Sequence, residues 1–361
     1  MGYIAPRRRA AGSAAGALRA GASMMKRRSH RYEKMARVYD DEILPIWSQR
    51  FGRMLLRDLQ VPPKAMVLDV ACATGNPSLE ILKRMDPQRR LIALDPIGPL
   101  LDVARKKAAE LAGKRIFFRS EPAVAKLAFA DDVYDVVVSN LGLLRIDEPA
   151  KALREFARVT KPGGKVIITL PLAGTYDEFY DIYREVLTKG DREDVLRRLE
   201  QHIARTPDAD EMLAWLERAG LPEIDVEVEE FTLLFKSSRE FFFAPVIEFG
   251  PLGEWKEVAG KGQEMQEIFW HIKESIDAYF GSRAFQITVK AGCFRAVKPA
   301  QPVAATTPEK KEPSAKTGPR QLTAPATPAP VTPPAAPAED DPTPSLRDDF
   351  KLDDEEEEDT G

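Results

Sequence analysis

Five short apolar runs separated by helical stretches constrain the fold of this chain more than any other feature. They are 66–71 (MVLDVA), 91–95 (LIALD), 115–119 (RIFFR), 134–140 (YDVVVSN) and 164–171 (GKVIITLP). Runs this apolar suit strands buried on both faces of a parallel sheet, where each strand needs a crossover connection to the next. The intervening sequence supplies those crossovers. "GPLLDVARKKAAELAG" places Leu100, Leu101, Ala104, Ala108 and Leu111 on one helical face. "DEPAKALREFARVTKPGG" offers Asp147 as an N-cap, Pro149 in the first turn and a Pro-Gly-Gly stop. This βα rhythm predicts an α/β fold: a doubly wound, three-layer sheet.

Past residue 200 the pattern changes. "TPDADEMLAWLERAG" reads as a helix with Thr206 as its cap and Pro207 at its start. It leads into "IDVEVEEFTLLF" (224–235), which alternates, and later into "AFQITVKAGCFRAV" (284–297), again strand-like. Two late strands joined by a helical segment imply an antiparallel closing pair at the sheet edge.

With 361 residues and 43% hydrophobic content, the chain has enough material for a sizeable core. Its net charge of −4 is mild, but the ends are lopsided. Residues 1–31 carry eight Arg or Lys and no acid, whereas 339–359 carry twelve Asp or Glu. From Pro299 to Pro344 lie thirteen of the 29 prolines, amid Ala and Thr. Such a stretch cannot bury a core, so 299–361 reads as a disordered linker and acidic tail and 32–298 as the folded domain. In the tail, Leu346, Phe350 and Leu352 stand in an acidic field that suits either a protein partner or simple solvation. The basic stretch 1–31 admits a disordered extension, residues upstream of a start at Met24 or Met25, or an Arg-rich mitochondrial presequence. The corresponding locations are the cytoplasm and the mitochondrion. A nucleic-acid-binding arm lacks interleaved aromatics. Cys72 and Cys293 stand far apart and suggest a reducing compartment rather than a disulfide scaffold. Three histidines with no CxxC or HExxH argue against zinc, and the lack of an apolar run of about 18 residues argues against a membrane span.

Ligands of a doubly wound sheet bind beyond the C-terminal ends of its strands, so the first strand and turn matter most. Here the turn reads Ala71-Cys72-Ala73-Thr74-Gly75. It lacks the G-x-G-x-x-G of a dinucleotide fold and the GK[ST] of a phosphate loop. Two positions that invite glycine hold alanine, which a turn tolerates readily where φ is negative.

"VLDVACATGN", "IALDP" and "DDVYDVVVSNLGLLRIDEPAKALREFARVTKPGGKVIITLP" together resemble the class I S-adenosylmethionine-dependent methyltransferases, over residues 35–297. The resemblance implies a Rossmann-like sheet of order 3-2-1-4-5-7-6 with the last strand antiparallel, and S-adenosyl-L-methionine as cofactor. It implies that Ala71, Ala73 and Gly75 pass under the methionine part and that Asp69 holds its amino end. Asp95 would accept from both ribose hydroxyls, a task that suits a carboxylate's two oxygens. Ile97 would pack on adenine, Asn140 and Leu141 would line the wall near the methyl, and Tyr39 of "ARVYD" would close over the cofactor. Glu121 is the nearest acid upstream of the "LAF" triplet at 127–129; in family members an acid shortly before this triplet binds adenine.

Methyl transfer from a sulfonium is an in-line displacement, so the acceptor is chosen by the variable segments 172–206 and 235–284. Both are rich in aromatic residues and read as helical cap insertions over the strand ends. No [DN]-P-P-[YF] follows the fourth strand, which disfavours nucleic-acid-base and glutamine amine methylators. "SNLGLLRIDEPAKALREFARVTKPGG" is similar to the malonyl-carrier-protein and quinone methyltransferases, implying a small-molecule or carrier-tethered O- or C-acceptor. His271 and Arg145 are the candidates for polar work near it. A catalytically silent scaffold recruited through the acidic tail is the alternative that the two alanines suggest.

Overall fold

The computed structural model describes residues 29–300 apart from 112, 114, 122–125 and 282. The expectations for 1–28 and 301–361 lie outside the described residues. The folded part begins earlier than residue 32, because 29–38 already form a helix, α1. It runs into a π-helical turn, Tyr39–Ile43, and is followed by α2 (Ser48–Arg57).

The βα rhythm is present as read. Strands β1 (Val67–Val70), β2 (Arg90–Leu94), β3 (Arg115–Arg119), β4 (Tyr134–Asn140) and β5 (Thr160–Pro171) are mutually parallel. Helices α3 (Ser78–Arg84), α4 (Gly98–Ala109) and α5 (Pro149–Val159) lie between them. After β5 come α6 (Asp177–Lys189), α7 (Glu193–Ile203) and α8 (Ala209–Arg218), then β6 (Glu223–Phe235). Helices α9 (Ser238–Phe243), α10 (Pro245–Glu248), α11 (Leu252–Ala259) and α12 (Gly262–Phe280) precede β7 (Phe285–Val297). The seven-stranded sheet has the order β3-β2-β1-β4-β5-β7-β6. β7 is antiparallel to both neighbours, β5 and β6.

Side-chain alternation divides the sheet's two faces. Leu68, Val70, Val166, Ile168 and Phe294 point to one side, where Phe156 of α5 and Leu216 of α8 complete an apolar cluster. α2 packs on the opposite side against β4, β5 and β7, with Arg295 reaching the Met54 carbonyl at 2.6 Å. Two helix starts differ from the sequence reading. α8 is capped by Asp208, not Thr206, because Asp208 and Glu211 form a reciprocal capping box. α5 starts with Pro149 as read, but Asp147 makes no cap there: Glu148 occupies the N-cap position without a side-chain bond.

The two aromatic-rich segments fold as helices that pack on one another. Trp255 stacks on Phe179 at 4.1 Å, donates from Nε1 to the Tyr180 hydroxyl at 3.2 Å, and accepts from Tyr183 at its carbonyl at 3.1 Å. Most of these rings are therefore the core of the cap itself. Cys72 and Cys293 are buried and unpaired.

Candidate cofactor site

β1 ends in a turn whose backbone is unusual. Ala71 has φ 66° and Ala73 φ 47°, both left-handed, with Gly75 at φ 92°. The alanines therefore lie outside the negative φ at which a turn tolerates them readily, and each carries a strain of about 1–2 kcal/mol. Hydrogen bonds hold the turn: Cys72 N to the Leu94 carbonyl at 2.9 Å, and Gly75 N to the Cys72 carbonyl at 2.8 Å. Both methyls have protein neighbours. A Cβ on Gly142 would lie 2.5 Å from the Ala71 methyl, so that glycine leaves the space the methyl fills. Ala73 packs against an apolar cluster of Met35, Ile43, Ile97 and Leu100. At Gly75 a Cβ would stand 3.2 Å from Leu79 and 3.4 Å from Ala104, where helices close on the turn.

Two carboxylates flank this turn. Asp95, at the end of β2 and 4% exposed, accepts from Ile97 N at 2.8 Å and from Ala73 N at 2.9 Å. Each oxygen spends one acceptor site on the backbone and keeps another. Asp69, fully buried on β1, accepts from the Ser78 hydroxyl at Oδ2, while its Oδ1 is buried with no partner among the described residues. Burial pushes the Asp69 carboxyl up to about 7, with the Ser78 hydrogen bond opposing and the Asp95 charge adding to the rise. Burial likewise raises Asp95, against its backbone hydrogen bonds and the positive charge of Arg145. Two buried acids without a bonded cation make a pocket of unmatched negative potential.

The other sequence candidates separate into two groups. Asn140 stands at the end of β4 and is engaged at both ends, donating to the Ser48 carbonyl at 3.0 Å and accepting from Thr169 at 2.6 Å. Leu141 follows it at φ 62°. Tyr39 shares a 2.7 Å hydrogen bond with Ser48, and burial raises its phenol above the ordinary value. Ile97 is buried under the same apolar cluster as Ala73. Arg145 is exposed, has no side-chain partner among the described residues, and its charge acts on both Asp95 and Tyr39. Ile97, Tyr39 and Arg145 are thereby linked to the turn through Ala73 and Asp95. Glu121 is not: Arg119 engages its carboxylate, and its charge falls on Tyr134. His271 is also elsewhere, exposed on the outer side of α12 with its ring 4.8 Å from Trp270. Asp40, Thr74, Ser78 and Gly142 escaped the sequence reading. Asp40 stands directly after the tyrosine of "ARVYD".

The model of the ubiE/COQ5 methyltransferase family matches residues 21–234, more than half of the chain. The chain belongs to that family. It is a class I methyltransferase, and its methyl donor is S-adenosylmethionine. Among similar curated proteins, the demethylmenaquinone methyltransferase of Mycolicibacterium paratuberculosis is 29% identical over 201 residues, covering 53% of this chain and 80% of that one. The proteins of the same name from Renibacterium salmoninarum and Mycobacterium tuberculosis are 30% and 31% identical, covering 54% and 51% of this chain and 83% and 73% of theirs. The family match ends at residue 234, so α9–α12 and β7 lie beyond it.

The residues of this methyltransferase fit its donor. The orphaned Oδ1 of Asp69 suits an ammonium, the spare acceptor sites of Asp95 suit a vicinal diol, and the unmatched negative potential suits a cation.

Proposed function

We propose that this chain transfers a methyl group from S-adenosylmethionine to a carbon or oxygen of a small quinone-type acceptor. Asp95 holds the ribose hydroxyls, and Asp69 receives the amino group at its free Oδ1. The buried carboxylate pair is the observation that carries this half of the reading. Ala73 and Ile97 supply the apolar surface beside the purine, and Leu141 the wall at the methyl.

The donor supplies a methyl already activated on a positively charged sulfur. The protein's part is to align the acceptor and exclude water. Trp47 spans the two halves of the site: it packs on the cluster around Ala73 and Ile97 and stacks on Tyr176 at 6.1 Å and 15°. Tyr176 sits at the start of the cap at φ 70°, a left-handed placement that a buried tyrosine rarely adopts. Burial raises its phenol far above the ordinary value, so at neutral pH it stays protonated and does not act as a base. An aromatic surface of this kind at the start of the cap suits a flat aromatic acceptor. The relatives named for demethylmenaquinone support the same chemical class. Arg145, without a side-chain partner among the described residues, would supply positive charge that stabilises the deprotonated oxygen of such an acceptor.

Purified protein incubated with S-adenosylmethionine and a series of reduced, unmethylated naphthoquinones and benzoquinones tests the proposal by mass spectrometry. The expected result is a product one methyl heavier, formed in step with S-adenosylhomocysteine. Turnover with none of the quinols, alongside turnover with a carrier-bound acyl acceptor, would refute the acceptor class and leave the donor half standing.

A further inference from the structure

β3 ends the sheet on one side, with β2 as its only strand partner. The register sets Arg115 beside Arg90, Phe117 beside Ile92 and Arg119 beside Leu94, so these side chains share one face, with Ile116 and Phe118 on the other. The Arg119 carbonyl accepts from Asp95 N at 3.2 Å, which turns the backbone of Arg119 toward β2. Backbone direction alternates along a strand, so the N–H and C=O groups of Ile116 and Phe118 point outward. No other described residue bonds them.

The surface around this edge is both basic and apolar. A cleft of about 520 Å³ runs over it, lined by Arg90, Arg105 and Arg119, by Ile92 and by 116–118. Phe117 is 48% exposed. Arg90 lies over its ring at 5.9 Å and Arg119 over the Phe129 ring at 5.2 Å, so two guanidinium groups rest on rings beside the strand. Arg105 meets Asp102 and Arg119 meets Glu121, but Arg90 and Arg115 have no acidic partner among the described residues.

These features select the occupant. Four arginines around one strand repel a second copy of the same edge. A nucleic-acid strand would answer the charge, yet it makes no ladder with the outward backbone groups, and Phe117 alone is too little for a platform that stacks successive bases. An extended acidic peptide uses the charge, the apolar side chains and the open backbone together.

We propose that the outer edge of β3 is a docking site for an extended acidic segment of a partner protein, which joins the sheet as an added strand. Opposite β3 its residues read acid, apolar, apolar, apolar, acid. The two acids face Arg115 and Arg119, with Arg90 alongside; the central apolar residue faces Phe117, and the two between face Ile116 and Phe118. That pattern is the same in both directions, so it fits parallel and antiparallel addition. The site is independent of the donor and acceptor assignments.

The test uses the full chain and a fluorescein-labelled synthetic peptide with Asp-Val-Phe-Val-Glu at its centre, read by fluorescence anisotropy. Saturable binding is expected, weakening as salt is raised, and a peptide with Lys in place of both acids should not bind. N-methylation separates a ladder from a merely charged contact. An added strand turns only alternate N–H groups toward β3, so methylating one alternate set of peptide nitrogens should abolish binding and methylating the other should spare it. Arg90→Glu with Arg115→Glu should lower affinity about tenfold or more with the melting temperature close to wild type, since both side chains are exposed. Methylated sets that behave alike, or wild-type affinity in the double variant, would overturn the proposal. So would an absence of saturable binding, which would leave the arginines as guards against edge-to-edge pairing. Oligothymidylate that binds more tightly than the peptide, and is lost in the same double variant, would overturn it in favour of a nucleic-acid surface.

Discussion

Gly142→Ala tests how the cofactor turn carries two alanines. Gly142 has φ −87° and ψ −32°, so alanine is allowed there by the backbone and any penalty comes from contact. Its Cβ would stand 2.5 Å from the Ala71 methyl, 2.6 Å from Ser139 Oγ and 3.0 Å from the Val70 carbonyl. The first of these falls about 1 Å short of a carbon–carbon contact distance. Ser139 cannot rotate away freely, because its hydroxyl donates to the Val70 carbonyl at 2.9 Å. Overpacking of about 1–3 kcal/mol, with loss of a hydrogen bond worth about 0.5–1.5 kcal/mol, predicts a destabilisation of about 2–4 kcal/mol. Ala71→Gly alone should be nearly neutral: it relieves left-handed strain of about 1–2 kcal/mol but adds about 0.5–1 kcal/mol of unfolded-state entropy and leaves a small void. The double variant moves the methyl across the gap and should recover at least about 1 kcal/mol of the loss. Urea unfolding of the four proteins measures the cycle. Additivity within about 0.5 kcal/mol would refute the notch, since it would mean that the two positions do not share that space.

Asp95→Asn should weaken donor binding about tenfold by calorimetry; it keeps an acceptor for one of Ala73 N and Ile97 N, whereas Asp95→Ala would strip both. The Asp69 carboxyl rises in the folded protein from its usual 3.8 to about 7, so its contribution to stability is fully present below about 3.8 and is lost as pH climbs through 7. Donor binding needs the ionised form, so affinity should strengthen with pH up to about 7 and then level off, with proton release at pH 6 seen as a buffer-dependent heat; an equally steep profile in Asp69→Asn would remove Asp69 as its source. His271→Ala should leave turnover within about twofold, whereas Arg145→Ala should lower kcat, and the reverse order in a steady-state assay would mean that α12 presents its other side to the acceptor.

The sheet was legible because its strands are written in contiguous apolar runs, and burial on both faces leaves such runs few alternatives. Asp69 and Asp95 were legible for a related reason: each sits at or beside the end of a strand, where the fold itself dictates that a ligand will lie. The cap helices were readable as helices but not as a site, since a ring that packs on Trp255 and a ring that faces an acceptor look alike in one dimension. His271 shows a signal that was present and unused. Met265, Ile268, Phe269, Ile272 and Ile276 trace the buried stripe of α12, and position 271 lies off it.

The alanines show what periodicity cannot carry. Whether a methyl at 71 is tolerated depends on a missing side chain at 142, and whether the turn around Thr74 holds its shape depends on a carboxylate at 40. Neither partner is a neighbour in sequence, and neither is a residue type that marks itself as functional. Their strain is met by contacts drawn from three separate segments: the end of β4, α4 and the N-terminal segment that carries Asp40. A turn strained in this way and fastened from outside has a conformation that depends on those fastenings. Removing the Asp40 carboxylate should therefore change the shape of the turn and weaken donor binding, which calorimetry on Asp40→Ala would measure; unchanged affinity would mean that the turn holds its shape without that contact.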